Sequence, residues 1–173
     1  MLDLAYKYEE EIKRKMMDTW YDVKYKFYYS SVYHDVWESS KSDWDNRAFV
    51  SLDSNGNIIG VIDYHINRTC DLADGFGAIN FTNKNQIIFG RDIAQVIDDV
   101  FCKFNMRKIE FAVVVGNPIE KTYDKMIARY GGNITGVKHK HTKLMDGNYY
   151  DFKQYELFRE DYITAKEKVK HGK

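Results

Sequence analysis

The apolar positions of this chain change period several times, and each change marks an element. Phe111-Ala-Val-Val-Val115 is a short, continuous apolar run, the pattern of a strand buried on both faces. It stops at Gly116-Asn117-Pro118, where the chain must turn. From Ile119 the apolar residues recur at 119, 123, 126, 127 and 130, the stripe of a helix with one buried side. Gly131-Gly132 predicts the end of that helix, because a C-cap favours glycine. Two further strand-like runs flank Asp146-Gly147, a strong short-range hairpin signal. A buried strand that ends in a polar turn at a helix start makes a natural ligand-binding edge.

Upstream, residues 3–19 predict a helix with Glu9-Glu10-Glu11 early and Lys13-Arg14-Lys15 late, an order that suits the helix dipole. Tyr21, Val23, Tyr25, Phe27 and Tyr29 alternate with mostly polar residues, as in a strand. A polar loop follows at residues 39–43. Arg47 to Leu52 and Ile58 to Ile66 read as antiparallel partners around the turn Asp53-Ser-Asn-Gly-Asn57. Residues 67–75 are loop-like, Gly77 to Phe81 is a short strand, and Thr82 to Phe89 is a connection. A helix starting near Arg91 has its apolar residues at 93, 96, 97, 100, 101 and 104, the spacing of an amphipathic helix laid on a sheet. Lys166 to Lys173 is polar and reads as a frayed end. Neither an internal repeat nor a Pro-, Gly- or Ser-rich linker interrupts the order. The pattern predicts one α+β domain: a mostly antiparallel central sheet with helices on both faces.

A length of 173 residues suits a single domain with a substantial core. Lys plus Arg equals Asp plus Glu, 26 each, which argues against a general nucleic-acid or anionic-membrane binder. Cys70 and Cys102 are the only cysteines; they make neither a disulfide framework nor a zinc spacing and read as free thiols in a reducing compartment. With no signal-peptide-like or membrane-length apolar stretch, the expected setting is the cytoplasm. His139 and His141 share a strand face but lack a third ligand at suitable spacing, so no metal site is expected. A P-loop, a nucleophile elbow and a zinc-binding helix motif are all missing from the sequence.

The segment with Asn117, Tyr123, Gly131-Gly132, Asp146-Gly147-Asn148-Tyr149-Tyr150-Asp151 and Tyr155-Glu156-Leu157 resembles the closing half of the GNAT superfamily of acyl-CoA-dependent N-acetyltransferases. The branch it most resembles acetylates ribosomal-protein N-termini and many small amines. The likeness covers roughly residues 47–162, the acyl-CoA-binding core. Residues 1–46 diverge, and 163–173 form a polar tail. The family has one or two helices in the divergent region, so an aromatic-rich helix rivals the strand over residues 21–29.

The resemblance implies acetyl-CoA as co-substrate, with its pyrophosphate at the N-terminus of the helix near Arg91. Such a terminus offers converging N–H donors and positive potential. Gln86, Gly90, Arg91 and Asp92 are the implied counterparts of the family's phosphate loop, with Lys84 as an additional charge. Ile87 and Phe89 replace the small residues that let backbone approach phosphate. Either they turn inward and the cradle works, or the cradle is damaged. The pantetheine arm would lie along Ala78, Ile79, Asn80 and Phe81 and bond their main chain as a strand would. Asn117 would face the same gap, or serve only as a turn residue before Pro118.

Acetyl transfer needs an amine that loses a proton, a polarised thioester carbonyl and a protonated leaving thiolate. By resemblance Tyr123 is the general acid; by periodicity it is also part of the apolar stripe from Ile119. Asp63 and His65 share a strand face and are the candidate bases. The acceptor is a primary amine of a small molecule or protein, and its site would come largely from residues 20–45, rich in Tyr and Trp. A homodimer is compatible with the resemblance. The competing reading is a catalytically silent module of the same fold with an impaired CoA loop.

Overall fold

The structure, a computed structural model, describes residues 1–28, 44–82 and 85–171. Tyr29, Lys84, the polar loop at 39–43 and residues 29–43 of the aromatic stretch considered above lie outside the described residues. Among the described residues seven strands form one sheet: β1 (Leu2–Leu4), β2 (Asn46–Leu52), β3 (Ile58–Asn67), β4 (Leu72–Asn80), β5 (Lys108–Val114), β6 (Asn133–Lys143) and β7 (Tyr149–Phe158), in spatial order β1-β2-β3-β4-β5-β7-β6. Only the β4–β5 pair is parallel. The described residues also form four α-helices: α1 (Glu9–Thr19), α2 (Gln86–Cys102), α3 (Glu120–Tyr130) and α4 (Arg159–His171).

Strand alternation divides the apolar residues between two faces. On one, Ile12 of α1 packs with Val50, Leu52, Val61 and Ile79. On the other, Val96, Val100 and Phe101 of α2, Ile127 of α3 and Tyr162 of α4 close over Ile62, Ile109, Phe111, Tyr155 and Leu157. The expected sheet with helices on both faces is what the chain builds. The Asp146-Gly147 hairpin and the Gly131 cap are also found; Gly147 and Gly131 adopt φ of 80° and 77°, which glycine tolerates without steric cost.

Five features differ from the sequence reading. β1 adds an edge strand before α1, and residues 21–29 form neither strand nor long helix in their described part, only a 3₁₀ turn at Val23–Tyr25. β4 begins at Leu72 rather than Gly77; its Asp74 and Gly75 blur the alternation, but pairing with β3 extends it. α2 begins at Gln86, five residues before Arg91, with Asn85 as N-cap in the left-handed region. The polar end after Ile163 is not a frayed tail throughout: α4 continues to His171, and Lys166 bonds the Asp98 carboxylate of α2.

Candidate active site

β4 and β5 part company almost at once. Their ladder holds only at Leu72↔Lys108 and Ala73↔Ile109. Beyond it, β4 follows β3 up to Gly60↔Asn80, while β5 follows β7 up to Val114↔Phe152. A wedge opens between them over Asp74–Asn80, roughly 20 Å of strand at the usual rise per residue. The wedge exposes specific main-chain groups. Phe81 N–H donates to Ile59 O at 2.9 Å, so residues 59 and 81 exchange the ladder bonds. The neighbouring pair Gly60↔Asn80 then directs its N–H groups outward, Asn80 into the wedge, and Ala78 likewise two residues earlier. Beneath lies a small apolar cavity lined by Phe76, Ile93, Ile97, Phe111, Tyr123 and Met126, among others.

α2 points its N-terminus at this region. Phe89 N–H closes the first helical bond to Asn85 O at 3.0 Å, which leaves the amides of Gln86, Ile87 and Ile88 without intrahelical acceptors. The two bulky residues of the loop do opposite things. Phe89 is buried over Gly60, whereas Ile87 is 89% exposed. Gly90 sits inside the helix with open space around it, and Arg91 is exposed. Asp92 is buried under α2, accepts from Ser51 Oγ at 2.7 Å and lies 3.4 Å from the N-terminal ammonium. The donors nearest the wedge are therefore the first-turn amides from Gln86, and Asp92 faces the sheet.

Tyr123 lies on the wedge side of α3. Its ring meets Phe111 edge-on at 4.9 Å and Tyr155 at 5.9 Å. Burial, and then the neighbouring Tyr28 phenol, push its hydroxyl up to about 12, so it is a protonated donor across the neutral range. The first turn of α3 is pinned to β7: Lys153 Nζ reaches Asp124 at 2.7 Å and Glu120 at 3.3 Å, and the Tyr155 hydroxyl donates to Asp124 at 2.9 Å. Lys153 is raised chiefly by its bond to Asp124, and Asp124 is lowered chiefly by the same bond. Asn117 serves the turn, because its Oδ1 accepts from Ile119 N–H at 3.1 Å.

The structure does not bring the candidate bases to Tyr123. His65 is opposite Asp74, with Nδ1 3.0 Å from the carboxylate, at the far end of β4 from Asn80. Asp63 sits opposite Gly77, between the two. What does reach the wedge mouth is the chain around the 3₁₀ turn. Tyr25 O–H donates to Phe81 O at 3.1 Å, its ring packs on Tyr28 at 5.8 Å, and Phe27 packs edge-on against Tyr150 at 6.2 Å. Lys26 Nζ lies 3.4 Å from the Tyr150 hydroxyl and 3.5 Å from Asp146. The sequence marks this stretch as aromatic, but nothing in its spacing says that it spans from β4 to the 146–150 hairpin. Among the described residues no group of three or more His, Cys, Asp or Glu side chains could hold a metal ion, and no helix is long and apolar enough to cross a membrane.

A seven-stranded sheet that splays after its fourth strand, with a helix N-terminus aimed at the gap, defines the GNAT type of N-acetyltransferase fold. Solved structures agree. Spermidine/spermine N-acetyltransferase SpeG from Vibrio cholerae, in complex with manganese ions, is 26% identical over 70% of each chain with a TM-score of 0.58. A chimera of the Vibrio cholerae enzyme with hSSAT superposes over 95% of this chain and 99% of its own, with a TM-score of 0.71 at 20% identity. A dodecameric form of the Vibrio cholerae enzyme has a TM-score of 0.60 at 24% identity, over 70% of this chain and 69% of that one. No protein-family model and no curated protein matches the chain. These neighbours are polyamine acetyltransferases, so the expected ribosomal-protein branch is not supported.

Proposed function

We propose that this chain is an acetyl-CoA-dependent N-acetyltransferase whose acceptor is a primary amine of a small molecule, with polyamine-like amines as the first class to test. The observation that carries this is the parting of β4 from β5 after Ala73, which leaves the Ala78 and Asn80 amides facing a slot. A pantetheine arm can bond such groups as an added strand would, and the first-turn amides of α2 suit the pyrophosphate. Of the four residues expected along the arm, Ala78 and Asn80 are the proposed main-chain donors, whereas Ile79 and Phe81 direct their N–H groups to β3. At the phosphate the reading moves from Gly90 and Asp92 towards Gln86–Ile88, with Arg91 as an exposed charge nearby.

In the reaction the acceptor ammonium loses a proton, its nitrogen attacks the thioester carbonyl, and the C–S bond breaks. Tyr123 is the proposed donor to the departing thiolate, since burial keeps its phenol protonated at working pH. The acceptor proton passes to solvent at the wedge mouth; Asp63 and His65 would act only at a distance, through water. Positioning supplies much of the rate, because the thioester is already activated. A higher oligomer of this chain is also proposed, by analogy with the dodecameric neighbour, and light scattering measures it. The two exposed thiols, Cys70 and Cys102, are in keeping with a reducing, cytoplasmic setting.

The test is thermal melting with and without acetyl-CoA, followed by thiol release with a panel of amines that includes spermidine. Ligand at a hundred times its dissociation constant stabilises the folded state by about 2.7 kcal/mol. No shift at millimolar acetyl-CoA, and no thiol release with any amine, would leave only the silent module.

A further inference from the structure

We propose that the apolar cavity at the base of the wedge is an acyl pocket sized for a methyl group, and that Met126 sets its depth. This rests on the reading above, in which acyl-CoA lies between β4 and β5. The first turn of α2 seats the pyrophosphate, and Phe89 of that turn packs on Gly60, the partner of Asn80. The arm therefore runs from Asn80 back towards Ala73, where β4 and β5 still pair. From phosphate oxygen to sulfur a pantetheine chain has about twelve bonds, the span of about four residues, or roughly 13 Å at strand extension. Four residues back from Asn80 is Phe76. Phe76 lines the cavity, and so does Tyr123, the proposed donor to the thiolate. The length of the arm and the position of the proton donor thus bring the sulfur to the same place, and the acyl group lies beside it.

The cavity suits a small apolar group. It holds about 20 Å³, room for one group the size of a water or a methyl. Its exposed lining is apolar, so a water there lacks the polar partners it needs. Two of its walls are fixed. Phe76 leaves β4 at a bulge, where Gly75 and Phe76 stand opposite Tyr64 alone, and its ring stacks on Tyr64 at 6.2 Å. Phe111 stacks on Tyr155 at 5.0 Å. Ile93 of α2 and Met126 of α3 close the cavity from the helix side. Met126 is half-buried and unbranched, the kind of side chain that fills an irregular gap. An acetyl methyl fits without moving it, whereas each further methylene of a longer acyl chain must displace it.

The experiment compares acetyl-, propionyl- and butyryl-CoA as donors for the wild type, Met126→Ala and Met106→Ala, with melting curves to establish that each variant is folded. In the wild type kcat/KM falls about tenfold or more from acetyl to butyryl, because two methylenes find no space. In Met126→Ala the butyryl-to-acetyl ratio rises on the order of tenfold, the value of two buried methylenes that gain a pocket. Met106 is buried in the same core at 5% exposure but is not a wall of the cavity, so Met106→Ala lowers the melting point and leaves the ratio unchanged. Should Met126→Ala be unfolded or inactive, Ile93→Val opens the cavity by one methylene and raises the ratio about threefold. An unchanged ratio in the folded, active cavity variant, an equal rise in Met106→Ala, or a wild type that uses butyryl-CoA as well as acetyl-CoA overturns the proposal but leaves the acyltransferase reading standing. A wild type that neither binds nor consumes any acyl-CoA removes the reading itself, and this inference with it.

Discussion

Gly60→Ala is the substitution that most directly tests how α2 is seated. A Cβ at Gly60 would collide with the Ile79 carbonyl oxygen and come 2.6 Å from Phe89 Cε2. The first obstacle is main chain, which cannot rotate away. The second is the ring that anchors the first turn of α2 on the sheet, buried to 7% exposure. Overpacking of this kind costs roughly 1–3 kcal/mol, and in a domain of this size each kcal/mol moves the melting point by about 2–4 °C. The expected fall is roughly 2–12 °C. The first-turn amides move with Phe89, so the KM for acetyl-CoA rises more than kcat falls. Gly90→Ala is the matched control: within 4 Å of its new Cβ there is nothing, and alanine in a helix gains up to about 1 kcal/mol over glycine. Differential scanning fluorimetry and donor titrations on both variants decide the matter. A Gly60→Ala protein as stable as the wild type, or a Gly90→Ala protein that loses acetyl-CoA affinity, would refute this account of the cradle.

Two further substitutions probe the site and its support. Tyr123→Phe keeps the ring contacts with Phe111 and Tyr155 but removes the proton donor, so kcat falls by about 10²–10⁴ while the melting point at pH 7 barely moves. The Tyr123 phenol has a folded value near 12 against an ordinary value of 10; its stabilisation is full below pH 10 and is lost as pH rises from 10 through 12, so Tyr123→Phe flattens the alkaline limb of a stability–pH curve. Ser51→Ala takes the 2.7 Å donor from the buried Asp92 carboxylate and costs about 1–3 kcal/mol in denaturant unfolding; a neutral result there means that Asp92 is satisfied without Ser51.

Where one element decides its own shape, the sequence was enough. The continuous run of β5, the stripe of α3, the Gly131 cap and the Asp146-Gly147 hairpin all follow from local periodicity and φ preference, and so does the order of elements that suggested the fold. Boundaries set by partners were not legible. β4 starts at Leu72 because β3 pairs with it there, although Asp74 and Gly75 read as loop. α2 starts at Gln86, yet the exposed Ile87 interrupts the apolar stripe and makes that turn look like a connection. His65 and Asp63 share a strand face with each other, as the spacing predicts, but face alone does not say how far along the strand the chemistry lies. The wedge itself is a matter of register, created because β4 follows β3 and β5 follows β7. The aromatic turn at its mouth, where Tyr25 bonds Phe81 O, comes from a segment some fifty residues away in sequence. Periodicity reports how a strand or helix meets an apolar environment; only the packed chain determines which neighbour supplies it, and where two neighbours let go.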